Sequence, residues 1–130
     1  LSLLIGRSLL GRQTSDVSTV FNWINKNSLK FNINSHNIVL FGHSMGGTVA
    51  TFTGAVDENI PAIVTSGSLG FIKDTIGRRR NSNGSSIIPN ILNWFEMDDV
   101  ISLITPRPFL RSKCLKEMSN CSLKTTKRGS

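Results

Sequence analysis

The sequence predicts an α/β fold organised as a doubly wound, mainly parallel sheet, and three observations carry that prediction. Two short apolar runs, Asn37-Ile38-Val39-Leu40-Phe41 and Pro61-Ala62-Ile63-Val64-Thr65-Ser66, are rich in β-branched residues and lack the polar alternation of a half-exposed strand. Helical segments alternate with them, giving the order helix, strand, helix, strand of a parallel sheet. A glycine-bearing turn joins the first run directly to the helix that follows. The chain has 130 residues, 38% of them hydrophobic, enough for one small domain with a packed core. It is short for a complete doubly wound enzyme, because each strand with its crossover helix takes roughly 30 residues.

Taken in order, the apolar opening Leu1 to Leu10 is interrupted by Arg7 and followed by no small-residue cleavage site, so no signal peptide is expected. No run approaches the ~20 apolar residues of a membrane span, and a soluble domain is expected. Val17, Val20, Phe21 and Ile24 recur at helical spacing behind Thr14-Ser15-Asp16, which predicts a helix over about 16–25. The run at 37–41 reads as a strand buried on both faces. Residues 48–54 are small and apolar enough to form a helix lying close to a sheet, and 61–66 form the second strand. Arg78-Arg79-Arg80 and the Asn, Ser and Gly residues after them read as a surface loop. Pro89 opens a helical stretch through Ile91, Leu92, Trp94 and Phe95, and Asp98-Asp99 lead into Val100, Ile101, Leu103 and Ile104. Pro106 and Pro108 end helix formation and introduce a third strand near Phe109.

Beyond Leu110 neither alternation nor a helical stripe is visible. The expected organisation is a partial domain over 1–110 and a basic, disordered or non-homologous tail over 111–130. That tail holds six bases and one acid, five of the seven net positive charges, and has no aromatic residue to stack on a base. A nucleic-acid partner is therefore not expected. Cys114 and Cys121 supply too few ligands for a zinc site, and no metal is expected.

The chemistry centres on Gly42-His43-Ser44-Met45-Gly46-Gly47. A serine hydroxyl is a weak nucleophile, so an acyl-transfer site must expose it, set a base beside it and aim N–H donors at the developing oxyanion. A G-x-S-x-G turn between strand and helix meets the first and third needs. It places the serine in a strained bend that tolerates only small neighbours, here Gly42 and Gly46 with Gly47 following, and presents the backbone N–H of Met45 as an oxyanion donor at a helix N-terminus. The bare pattern arises by chance in roughly one chain in twenty or thirty of this size, so its context of preceding strand and following helix decides the reading.

Three segments carry a family resemblance: Gly6-Arg7-Ser8-Leu9-Leu10-Gly11 with Asp16-Val17, the turn from Phe41 to Gly47, and Ile88-Pro89-Asn90 through Trp94-Phe95-Glu96-Met97-Asp98-Asp99-Val100 to Ile104-Thr105-Pro106-Arg107-Pro108-Phe109-Leu110. Over about 6–110 the sequence resembles the α/β-hydrolase superfamily, in its dienelactone hydrolase and acetyl xylan esterase-like branch. The resemblance implies ester hydrolysis through an acyl-enzyme on Ser44, a small-molecule ester as substrate and no cofactor. It makes the chain a fragment of the family fold, holding about the fifth to seventh strands of its sheet, with the first four and their oxyanion loop missing. In the family an aspartate follows the seventh strand and a histidine the eighth. Here the matching loop is Arg111-Ser112-Lys113-Cys114, and no Asp or His lies beyond Asp99. His43 is expected to point away from Ser44, His36 to lie at the opposite end of the sheet, Asp74 to follow the sixth strand without a histidine to orient, and Asp98 and Asp99 to cap a helix. The chain alone is thus expected to be inactive. Two further readings stand beside the esterase: a non-catalytic truncated or frameshifted remnant, suggested by the change of composition after Leu110, and a fragment of a prolyl oligopeptidase-type serine peptidase.

Overall fold

A computed structural model describes residues 5–68, 70–77, 87–114 and 121–124. The Arg78-Arg79-Arg80 loop and the rest of the tail lie outside the described residues. The elements run α1 (Leu9–Lys26), β1 (Val39–His43), α2 (Met45–Val56), β2 (Ala62–Ser66), α3 (Ile72–Gly77), α4 (Met97–Ser102), β3 (Phe109–Cys114) and β4 (Cys121–Lys124). The sheet order is β1-β2-β3-β4. The first three strands are parallel, with Leu40 beside Ile63 and Ile63 beside Phe109, and β4 returns antiparallel to β3. This is the expected α/β class with a mainly parallel sheet.

Helix α1 begins well before the expected 16. Ser8 is its N-cap and accepts a 2.9 Å hydrogen bond from the Gly11 N–H, satisfying one of the orphan donors of the first turn. The buried stripe then runs Leu10, Thr14, Phe21, with Val17 and Ile24 half-buried between and after them. Thr14, a polar residue on that stripe, disguises its first half, while Val20 falls off it and is exposed.

Strand β1 covers Val39 to His43, shifted two residues towards the serine, and is not buried on both faces. Gly42 is buried and Leu40 half-buried on the helix side, but Val39, Phe41 and His43 are exposed, Phe41 by 64%. The physical reason is position: β1 is the edge strand of the described sheet, and burial comes from the helix side alone. On that side, Ile63 and Thr65 of β2 are fully buried, and Phe21, Ala50, Ile60, Ile63 and Ile104 form the main core. Helix α2 lies so close to β2 that a Cβ on Gly54 would come within 2.7 Å of Ile63 Cγ1. Ile72, Met97 and Val100 form a second cluster packed on Phe52 and Ala55 of α2.

The helix expected around 91–95 is instead a 3₁₀ turn, Ile91–Asn93, entered through Asn90 in the left-handed region at φ 63°. Trp94 and Phe95 are left exposed, and the regular helix starts only after Glu96. Arg107 then ties the chain together. Its guanidinium donates to the carbonyls of Gly54 (2.6 Å), Asp57 (2.8 Å) and Ile60 (3.2 Å), joining the C-terminal end of α2 to the approach to β2. A planar fork with several donors can serve the three carbonyls at once.

The third strand begins at Phe109 as expected and continues to Cys114, so the domain boundary drawn at Leu110 falls inside it. Beyond it, β4 adds residues 121–124 to the sheet, with Cys121 opposite Cys114 in register. Nothing in the sequence pointed to β4 or to the continuation of β3 past Leu110, because their few apolar residues are interleaved with polar and basic ones. No helix among the described residues is long and apolar enough to cross a membrane.

Candidate active site

The site is built where β1 becomes α2. His43 ends the strand, Met45 begins the helix, and the whole change of direction falls on Ser44, at φ 52° and ψ −122°. A non-glycine residue held there stores about 1–3 kcal/mol of strain. Hydrogen bonds on both sides hold it in place. The Ser44 N–H donates to the Ser66 carbonyl at the end of β2 (2.8 Å), and the Ser44 carbonyl accepts from the N–H groups of Gly47 (3.0 Å) and Thr48 (3.3 Å). The Ser44 side chain is exposed and makes no capping hydrogen bond to the helix.

Glycine is required on the strand side of this bend. A Cβ on Gly42 would lie 2.1 Å from the Gly46 carbonyl oxygen and 2.4 Å from its carbon, because the first turn of α2 folds back over the end of β1. On the helix side the crowding differs from expectation. Gly46 has open space where its Cβ would be, whereas a Cβ on Gly47 would come within 2.2 Å of Ser68 Oγ. The tight approach is thus at Gly42 and Gly47. Ser68 was not foreseen from sequence; it lies just past Gly67, which turns the chain after β2 at φ 63°, and its Oγ is buried with no hydrogen-bond partner among the described residues. The small residues Ser66-Gly67-Ser68 at a strand end were the signal that this segment passes close to the start of α2.

Met45 is the first residue of α2, so its backbone N–H sits at the positive end of a helix of 12 residues. The other candidates are dispersed. His36 occupies a 3₁₀ turn before β1, at the far end of that strand from Ser44. His43 is exposed on the edge strand. Asp74 is exposed in the first turn of α3, Asp98 is exposed on α4, and Asp99 accepts from the Glu96 N–H (2.8 Å) in a capping box. Among the described residues no hydrogen bond joins a carboxylate to a histidine side chain, and no group of three or more His, Cys, Asp or Glu stands ready to hold a metal ion.

No curated protein and no solved structure matches the chain. The model of the BD-FAE family matches residues 5–124, a span that takes in the bend at Ser44, all four strands and the cap at Glu96. A parallel sheet whose first strand turns through a left-handed serine into a close-packed helix, matched over nearly its whole length, places this chain in the BD-FAE family of α/β-hydrolase-like esterases.

Proposed function

We propose that Ser44 is the nucleophile of a carboxylic ester hydrolase of the dienelactone hydrolase and acetyl xylan esterase-like kind, and that this chain by itself lacks the base that would make it turn over. The observation that carries the reading is the backbone of Ser44, left-handed at φ 52° with its side chain exposed at the junction of β1 and α2. Nothing in packing alone calls for a strained serine at that point, whereas an attacking hydroxyl does.

The geometry supports the following reaction. Ser44 Oγ attacks the carbonyl carbon of a small ester while a base takes its proton, and the oxyanion that forms is met by the Met45 N–H and the positive end of α2. The C–O bond to the alcohol breaks, the alcohol leaves with a proton, and water later cleaves the acyl-Ser44 ester to a carboxylic acid and free serine. The step that this chain does not support is the proton transfer. His36 is at the other end of β1, and no Asp or His occurs beyond Asp99. Loss of a triad partner lowers turnover on the order of 10⁴-fold or more.

A fluorophosphonate probe applied to a parent protein that supplies the carboxylate and histidine should label Ser44, located by peptide mass spectrometry, and leave Ser44→Ala unlabelled. Absence of label there removes the proposal. For the 130-residue chain alone, hydrolysis of p-nitrophenyl acetate should equal that of its Ser44→Ala variant. Turnover abolished by that substitution would mean that another group on this chain acts as base.

A further inference from the structure

The loop that follows α1 projects apolar side chains into solvent in a setting of positive charge. Leu29 is 98% exposed, Trp23 55% and Phe31 49%, and Val20 and Ile33 are exposed beside them. Trp23, Phe31 and Val20 share one surface, and Leu29 and Ile33 flank Phe31 in the chain. The Trp23 and Phe31 rings lie 5.6 Å apart, and Val20 and Trp23 are neighbours at i, i+3 on α1. The loop is held by its own hydrogen bonds: Asn27 Nδ2 donates to the Trp23 carbonyl (2.8 Å), and the Ile33 N–H to the Ser28 carbonyl (2.9 Å). Lys30 Nζ sits 5.5 Å from the Phe31 ring centroid, and Lys26 lies in the last turn of the helix. Residues 17–56 hold no acid, while Asp16 stands one helical turn before Val20, and Lys26 precedes Leu29 and Lys30 stands between Leu29 and Phe31 in the chain.

From this arrangement we propose that residues 20–33 form a docking surface for an anionic phospholipid bilayer, with Leu29, Phe31 and Trp23 entering the headgroup and upper acyl region and Lys26 and Lys30 meeting lipid phosphates. The charge pattern selects this occupant. A symmetric contact with a second copy would set Lys26 and Lys30 against their own equivalents, with Asp16, two turns before Trp23, the nearest acid in sequence, which disfavours self-association through the patch. A bilayer supplies the opposite charge and accepts exposed apolar side chains without needing a matching groove. The aromatic rings and lysine stems have the amphipathic build that settles at an interface, and the docking requires no membrane-crossing helix. It is independent of the esterase reading.

The test is flotation of the 130-residue chain with phosphatidylcholine vesicles prepared with and without phosphatidylserine, which separates bound protein from any that has aggregated. The chain should rise with the phosphatidylserine vesicles and do so less as salt is added. Leu29→Ser/Phe31→Ser and, separately, Lys26→Glu/Lys30→Glu should each weaken binding about tenfold or more, with helix content by circular dichroism unchanged. Lys124→Gln/Lys127→Gln/Arg128→Gln should keep most of the binding. Equal binding to both vesicle types overturns the proposal. So does binding that survives both patch variants and disappears with the tail variant, and so does a patch-dependent dimer in sedimentation that ignores vesicles.

Discussion

At Gly42 a single methyl group separates a bend that closes from one that cannot. Its Cβ would overlap the backbone of Gly46, an atom set that cannot rotate away, while the same addition at Gly46 would meet nothing within 4 Å. Gly42→Ala is therefore expected to cost about 3 kcal/mol of stability, as overpacking against fixed backbone does. Gly46→Ala, inside α2, is expected to be neutral or to stabilise by about 0.5–1 kcal/mol, because alanine loses less chain entropy in a helix. Urea midpoints of the two variants check this, and similar midpoints would show that the bend is looser than described. The motif made Ser44 and Gly42 legible in the sequence, since both needs follow from the chain turning sharply on itself. It could not show that Gly47 rather than Gly46 is the second crowded position. That follows from Ser68, which approaches from the turn after β2, and no local pattern encodes such an approach.

Among the elements, α3 and α4 are joined at their N-termini by one carboxylate. Glu96 caps α4, accepting from the Met97 N–H at 2.9 Å, and also accepts from Ile72 and from Lys73 (3.4 Å) at the start of α3, 24 residues away for the first. Partial burial pushes its pKa up, but the backbone N–H groups of Ile72, Met97 and Lys73 and the nearby Lys73 charge outweigh this and hold it below the ordinary glutamate value. A carboxyl whose folded-state pKa is depressed contributes stability that is fully present above its unfolded pKa and is lost as pH falls through the folded one. Glu96→Gln should thus cost about 1 kcal/mol at neutral pH, and the gap to the unsubstituted chain should narrow on acidification below the usual glutamate range. Urea titrations at neutral and acid pH read this out; a gap of constant size would mean the charge on Glu96 is irrelevant to the tie. The acidic run Asp98-Asp99 announced a helix start in the sequence, and Asp99 does complete the capping box. The link to Ile72 was invisible because it spans two elements, and the helix expected at 91–95 failed because Asn90 enters a left-handed turn that apolar spacing does not reveal.

For the molecule as a whole, the α/β class was legible because β-branched runs joined by helices have few other solutions, and the positions of β1 and β2 followed within two residues. What the runs could not tell was how many faces would be covered. An unbroken apolar strand implies burial on both sides, yet in the described sheet Phe41, Val64 and Leu110 stand in register across three strands, with Phe41 64% exposed and Val39 exposed beside it on the edge strand. An open apolar face next to an unpaired parallel edge is a template for association with other chains. Produced alone, the chain is accordingly expected to self-associate, and the remedy should depend on which face is charged. Phe41→Lys places a charge on the open side, where it meets water, and should raise the soluble fraction severalfold and shift size-exclusion elution towards monomer. Leu40→Lys, one residue earlier and half-buried against the helices, should instead unfold the domain, because the two-residue period of a strand turns it into the core. If both variants precipitate alike, the open face is not what drives the association, and if the unsubstituted chain melts cooperatively as a monomer, the two faces of this sheet do not differ as their exposures imply.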